Sequence, residues 1–129
     1  MTISVSSPAM IFDMAELCGA RTQLHWAVAK DMWAAGDTFA VHEGDELLAV
    51  LGLYPIEGGA EAWFNARPAL ARHMLSVVRQ VRLTLTALPY PEIVVVCTTK
   101  AGCRFAAACG FTFVEHHENG DIYAGRFGK

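Results

Sequence analysis

Three groups of side chains have types and spacings that could do chemistry. Arg67, Arg72 and His73 crowd the first turn of a helix that Pro68 opens. Unpaired backbone N–H groups and basic side chains there would hold an anion such as a phosphate; the plain alternative is a solvated helix start with its arginines in water. His116-His117-Glu118 could supply a proton carrier or metal ligands. Neighbours on a strand face opposite sides, so the two imidazoles do not converge on one ion, and no metal is expected. His116 remains a candidate base, set against an ordinary surface histidine. Cys103 has Lys100 and Arg104 nearby, cations that would favour a thiolate. Cys18, Cys97, Cys103 and Cys109 nevertheless show no C-x-x-C spacing and read as reduced packing residues, without zinc or a disulfide.

The elements that must position these groups follow from periodicity and punctuation. After Ile3 to Val5, Ser7-Pro8 reads as an N-cap and first helical proline, with Met10, Ile11, Met14, Leu17 and Cys18 at helical spacing up to Gly19. A second helix carries Leu24, Val28, Met32 and Trp33 as far as Ala35. Thr38 to His42 is a strand, and Glu46 to Tyr54 a longer one with two apolar faces, stopped by Pro55. Ala60 to Asn65 follows after Glu57-Gly58-Gly59, with Trp63 and Phe64 on opposite faces. From Pro68 the longest helix presents Leu70, Met74, Val77, Val78, Val81, Leu85 and Leu88 as one stripe. Ile93 to Cys97 is a β-branched run typical of an interior parallel strand, and a short helix from Thr99 or Lys100 closes at Cys109-Gly110. Phe111 to His116 and Ile122 to Phe127 flank the hairpin signal Glu118-Asn119-Gly120-Asp121. The order is β-α-α-β-β-β-α-β-α-β-β, an α/β chain with a mixed sheet of six to seven strands and one central parallel pair. Ligands of open α/β sheets gather beyond the carboxyl ends of parallel strands, which points to Phe64 through His73.

Size and charge bound the function. At 129 residues and 53% hydrophobic composition the chain is expected to form a single domain with apolar surface to spare, which suits a homodimer. The net charge of −3 argues against a nucleic-acid partner. It is unevenly spread: residues 1–65 hold two basic and nine acidic side chains, residues 66–129 eight and four, so an anion belongs with the second half. No basic stretch precedes the first apolar residues and no apolar run suits a membrane span, so a cytoplasmic protein with no membrane partner is expected.

Element order and the tail Arg104-Phe105-Ala106-Ala107-Ala108-Cys109-Gly110-Phe111 together resemble the GNAT superfamily of acyl-CoA-dependent N-acetyltransferases over nearly the whole chain. The short GNAT-like proteins of tailed phages and prophages are the subgroup most similar in feel, which leaves a virion location open. The resemblance implies acetyl-CoA or another acyl-CoA as co-substrate, an amine of unknown identity as acceptor, and direct attack of that amine on the thioester. It also implies that the fourth-strand backbone beside Phe64 and Asn65 holds the pantetheine arm, while Arg67 and Arg72 hold the phosphates. Glu61, with Glu57 just before it, would be the carboxylate that takes the amine proton, against the reading of plain surface glutamates.

Departures from the family pattern are as informative. Where glycines of an R/Q-x-x-G-x-G/A loop would let the backbone approach a pyrophosphate, the chain reads Arg67-Pro68-Ala69-Leu70-Ala71-Arg72. Ala106 stands where a tyrosine often donates a proton to the departing thiolate. The alternative reading is therefore a catalytically silent GNAT-like module, for instance a phage structural or host-interaction protein.

Overall fold

A computed structural model describes residues 3–18 and 20–127. In chain order the elements are β1 (Ile3–Ser6), α1 (Ile11–Cys18), α2 (Gln23–Ala35), β2 (Asp37–Glu43), β3 (Glu46–Ile56), β4 (Gly59–Ala66), a 3-10 helix (Pro68–His73), α3 (Met74–Ala87), β5 (Ile93–Cys97), α4 (Lys100–Ala108), β6 (Thr112–His117) and β7 (Gly120–Gly125). The seven strands form one sheet in the order β1-β2-β3-β4-β5-β7-β6, in which β4 and β5 are parallel. That is the expected α/β class and element order. Two compact units share the chain, one reaching Tyr54 and adding Trp63–Met74, the other taking Pro55–Ala62 and the residues from Leu75 onward.

In the first unit β2 pairs antiparallel with β1 (Ile3↔Glu43 to Ser6↔Ala40) and with β3 (Asp37↔Leu53 to Glu43↔Glu46). Leu47, Leu48, Ala49 and Val50 are all buried, as a strand with two apolar faces requires. Ala9, Met14, Ala40, Leu47 and Val50 form a core against which Leu17, Cys18, Met32, Trp33 and Trp63 pack. Gly52 makes room for one of these: a Cβ there would stand 2.4 Å from the Trp63 ring.

Ser7-Pro8 does not start the first helix. The Ser7 hydroxyl donates to the Thr38 carbonyl at 2.7 Å, and the helix opens at Ile11, with Asp13 accepting from the Met10 N–H at 3.3 Å. Thr38 is the buried polar residue of this corner, its Oγ1 accepting the Ala9 N–H at 3.0 Å. Replacing Thr38 by valine keeps the volume but orphans that donor. A loss of about 1 to 3 kcal/mol in chemical denaturation is expected. An unchanged midpoint would show that the Ala9 N–H finds another partner.

Gly19, the expected stop of the first helix, lies outside the described residues. The second helix is capped by Thr22, whose hydroxyl accepts the His25 N–H at 3.1 Å. Its inward residues are Ala29, Met32 and Trp33, while Leu24 and Val28, expected on the same stripe, are exposed. Trp33 fixes that rotation by donating its indole N–H to the Ala9 carbonyl at 2.6 Å. The strand expected to stop at Pro55 runs on to Ile56. The β2 ladder has already ended at Leu53, so the missing proline N–H interrupts no bond on that side.

The second unit contains the βαβ core. Its parallel ladder spans three pairs, Ala60↔Ile93 to Ala62↔Val95, although β4 itself runs on to Ala66. Helix α3 buries Val77, Val81 and Leu85, one per turn. The expected α-helix from Pro68 is a correction: Pro68–His73 is 3-10 and the α-helix begins at Met74 and ends at Ala87, before Leu88. β5 pairs antiparallel with β7, and β7 with β6 across the expected hairpin. β6 is exposed throughout and carries a register irregularity between Phe113 and Glu115. Gly110 takes a φ of 106° while its N–H reaches Ala107 O at 3.1 Å and the Phe111 N–H reaches Ala106 O at 3.0 Å. This pair of bonds ends α4 and turns Phe111 inward onto Phe127, at 4.9 Å between rings. Among the described residues no helix is long and apolar enough to cross a membrane.

Candidate functional site

In the first unit, the residues expected to meet a cofactor lie on the second half of β4 and the 3-10 helix. Phe64 and Asn65 are half-buried. The Asn65 amide donates to Cys18 Sγ at 3.4 Å. Burial raises the Cys18 thiol pKa and the Asn65 contact opposes that rise.

Arg67 is held from three directions. Its backbone N–H donates to Leu48 O at 2.8 Å, its Nε donates to Leu47 O at 2.9 Å, and its Nη2 pairs with Glu16. Arg72, with two thirds of its side chain exposed, reaches Glu43 Oε1 at 3.5 Å. His73 Nε2 lies 3.1 Å from Glu43 Oε2. The angle there is not that of a hydrogen bond, so Nε2 is buried beside a carboxylate without a directed partner. The basic cluster thus exists, and Glu16 and Glu43 balance it.

The backbone of this corner is also tighter than an α-helical start. Pro68 brings no N–H and the Leu70 N–H is taken by Arg67 O at 3.0 Å, so fewer donors face outward than a helix beginning at Pro68 would offer. Leu70, at a family glycine position, is 2% exposed and belongs to the interior.

The second unit holds the candidate bases. Glu61 sits on β4 opposite Val94 and is exposed, as is Glu57. His116 stands across from Asp121 in the β6–β7 ladder, and its Nδ1 lies 2.6 Å from Asp121 Oδ1. The other carboxylate oxygen of Asp121 accepts from Cys103 Sγ at 3.7 Å. Cys103 thus donates to a carboxylate, which opposes the thiolate that activation would need. Burial pushes the Cys97 thiol up to about 11 and the Cys109 thiol up to about 12, so both stay protonated packing groups. Ala106, where the family often has its tyrosine, is buried and presents no proton donor.

His116, Asp121 and Cys103 line one open cavity of about 580 Å³ at the carboxyl end of β5. Lys100 and Arg104 on α4 and His117 and Glu118 on the hairpin complete its charged wall. Helix α4 begins there under Thr99, whose hydroxyl accepts the Gly102 N–H at 3.0 Å. Asp121 was not singled out in the sequence, where it is one more turn residue after Asn119-Gly120. The Asn119-Gly120 signal would set Asp121 opposite Glu118; the turn falls instead on Glu118-Asn119, which sets Asp121 opposite His116.

No family model matches the chain, and no curated protein matches its sequence. Solved structures do match its fold. The ribosomal-protein-S18-alanine N-acetyltransferase of Escherichia coli superposes with a TM-score of 0.72 at 11% identity, covering 99% of this chain and 96% of that one. An acetyltransferase of Bacillus subtilis in complex with CoA gives 0.69 at 12% identity, over 95% and 96%. A GNAT family acetyltransferase of Elizabethkingia anophelis with acetyl-CoA bound gives 0.67 at 9% identity, over 96% and 97%. The described residues therefore have the GNAT fold, a mixed seven-stranded sheet in which β4 and β5 run parallel.

Proposed function

We propose that this protein binds an acyl-CoA, acetyl-CoA being the simplest, and transfers the acyl group to an amine by direct attack. The observation that supports this most is the match, over almost the full length of both chains, to folds that hold CoA and acetyl-CoA. In this reading the β4 backbone at Phe64 and Asn65 carries the pantetheine arm. Arg72 supplies the mobile charge for the phosphates, because its exposed guanidinium can leave the 3.5 Å contact with Glu43 at little cost. Arg67 braces the turn through Glu16 and the Leu47 carbonyl. Glu61 or His116 takes the amine proton. The protein acts in the cytoplasm, without a metal, and pairs as a homodimer through exposed apolar residues such as Phe12 and Leu24.

Calorimetry with acetyl-CoA and with desulfo-CoA tests the reading. A saturable heat with both is expected, and Arg72→Glu should weaken binding about tenfold or more, since it replaces attraction with repulsion at the phosphates. An unaltered dissociation constant would remove Arg72 from the site. No heat and no thermal shift at millimolar ligand would sink acyl-CoA binding altogether.

A second reading has its own observation. Glu16 and Glu43 already neutralise the basic cluster, and Leu70 fills a glycine position with a buried side chain. Those features suit a silent GNAT-like module, such as a phage structural or host-interaction protein, which has kept the sheet and lost the cofactor loop. The same calorimetry separates the two.

A further inference from the structure

The cavity at the end of β5 has two chemically different walls. On α4, Lys100 and Arg104 stand four residues apart, hence on one face, and both line the cavity. On the hairpin side are His116, His117, Glu118 and Asp121. The Asp121 carboxylate is already engaged, one oxygen by His116 Nδ1 at 2.6 Å and the other by Cys103 Sγ at 3.7 Å. A carboxylate on Nδ1 places the ring proton there and leaves Nε2 of the neutral imidazole as the acceptor. His116 is exposed, so that acceptor is open to a ligand.

We infer that this cavity binds a zwitterionic primary amine, its phosphate or carboxylate held by Lys100 and Arg104 and its amino group presented to Nε2 of His116. Glu118 attracts the ammonium form from the same wall. As a binding site the pocket stands on its own; its use as the acceptor site rests on the acyl-transfer reading. There His116 is the catalytic base and Asp121 its positioning residue. The ammonium gives one proton to solvent, the freed nitrogen lone pair forms the new bond to the thioester carbon, a second proton passes from that nitrogen to Nε2, and the carbon–sulfur bond breaks to release CoA. The thiolate that leaves is protonated by solvent, since Ala106 offers no acid.

The test follows the His116 ring by NMR while 2-aminoethyl phosphate, ethanolamine or ethyl phosphate is added to the whole protein. The expected result is a saturable displacement of the His116 signal by 2-aminoethyl phosphate. Each half-molecule should bind at least about tenfold more weakly, because it engages only one wall. Exchanging both Lys100 and Arg104, which are exposed, for alanine should weaken 2-aminoethyl phosphate to the level of ethanolamine. Equal binding of ethyl phosphate would overturn the inference, since the amine would then go unrecognised. So would the absence of a saturable shift.

The positioning role has a separate signature. Asp121→Asn should move the ring proton of neutral His116 from Nδ1 towards Nε2 in nitrogen-15 spectra, with the circular dichroism unchanged. Where CoA release is measurable, it should lower kcat and leave KM for the amine near its original value. A tautomer unaffected by the substitution would remove Asp121 from that role. Heat from acetyl-CoA without a His116 shift would sink this pocket and spare acyl-CoA binding. A His116 shift without that heat would keep the pocket and remove the transfer reaction.

Discussion

Gly59→Ala is expected to cost about 3 to 5 kcal/mol of folding free energy. The new Cβ would sit 1.8 Å from the Glu92 carbonyl oxygen and 2.8 Å from its carbon, both main-chain atoms that cannot rotate away. Relief requires the strand starts to part. That strains packing by about 1 to 3 kcal/mol and breaks the 3.0 Å bond from the N–H of buried Ala60 to Glu92 O, leaving that donor unsatisfied. Since the net stability of an ordinary domain is about 5 to 15 kcal/mol, the variant would be near its limit. Guanidinium denaturation measures the loss. A midpoint equal to that of the parent would mean that β4 and β5 meet differently at their first pair.

The second large effect is Leu70→Gly, which places a glycine where the resemblance to GNAT proteins would have one. The expected outcome is a loss of about 3 to 5 kcal/mol. A fully buried leucine leaves a cavity costing about 2 to 5 kcal/mol, and glycine adds backbone freedom to the unfolded chain. Leu70 is 2% exposed, so its side chain belongs to the interior of its unit and does not sit on a ligand-facing surface. Thermal unfolding with and without acetyl-CoA checks this. If the variant instead matched the parent in stability and gained affinity for acetyl-CoA, the side chain would be acting as an obstruction to the coenzyme.

Much of the architecture was legible because its signals were local. The run Ile93 to Cys97 and the Gly110-Phe111 helix end each depend on residues within a few positions of one another and appear where expected; the hairpin signal marks the right connection, with the turn one residue earlier, on Glu118-Asn119. Element order was enough to anticipate the parallel pair. What could not be read were pairings across long stretches of chain. Nothing near Arg67 announces Glu16, which lies 51 residues away, and nothing near His73 announces Glu43. The character of the candidate anion site changed for that reason, since its basic side chains arrived with their counter-charges.

Local reasoning failed where tertiary contacts override propensity. Ser7-Pro8 has the look of a helix start, yet the Ser7 hydroxyl is drawn to the Thr38 carbonyl, 31 residues on. The stripe through Leu24, Val28, Met32 and Trp33 has helical spacing, but only its second half faces inward, with Ala29, where the Trp33 indole bonds the Ala9 carbonyl. Pro68 marks an N-terminus correctly and cannot distinguish a 3-10 turn from an α-helix. His116 was legible as a candidate and Asp121 was not, because a dyad is made by strand register and register is not written in either residue.

The outer strand β6 has a consequence for how this molecule behaves in company. An uncovered border strand bearing Phe113 and Val114 on display would ordinarily template further chains, each adding its own border in turn. The irregularity between Phe113 and Glu115 twists that border locally, and the charged Glu115 next to it resists dehydration. Growth by endless lateral stacking is opposed at this border, so concentrated protein is expected to show no rise in thioflavin fluorescence.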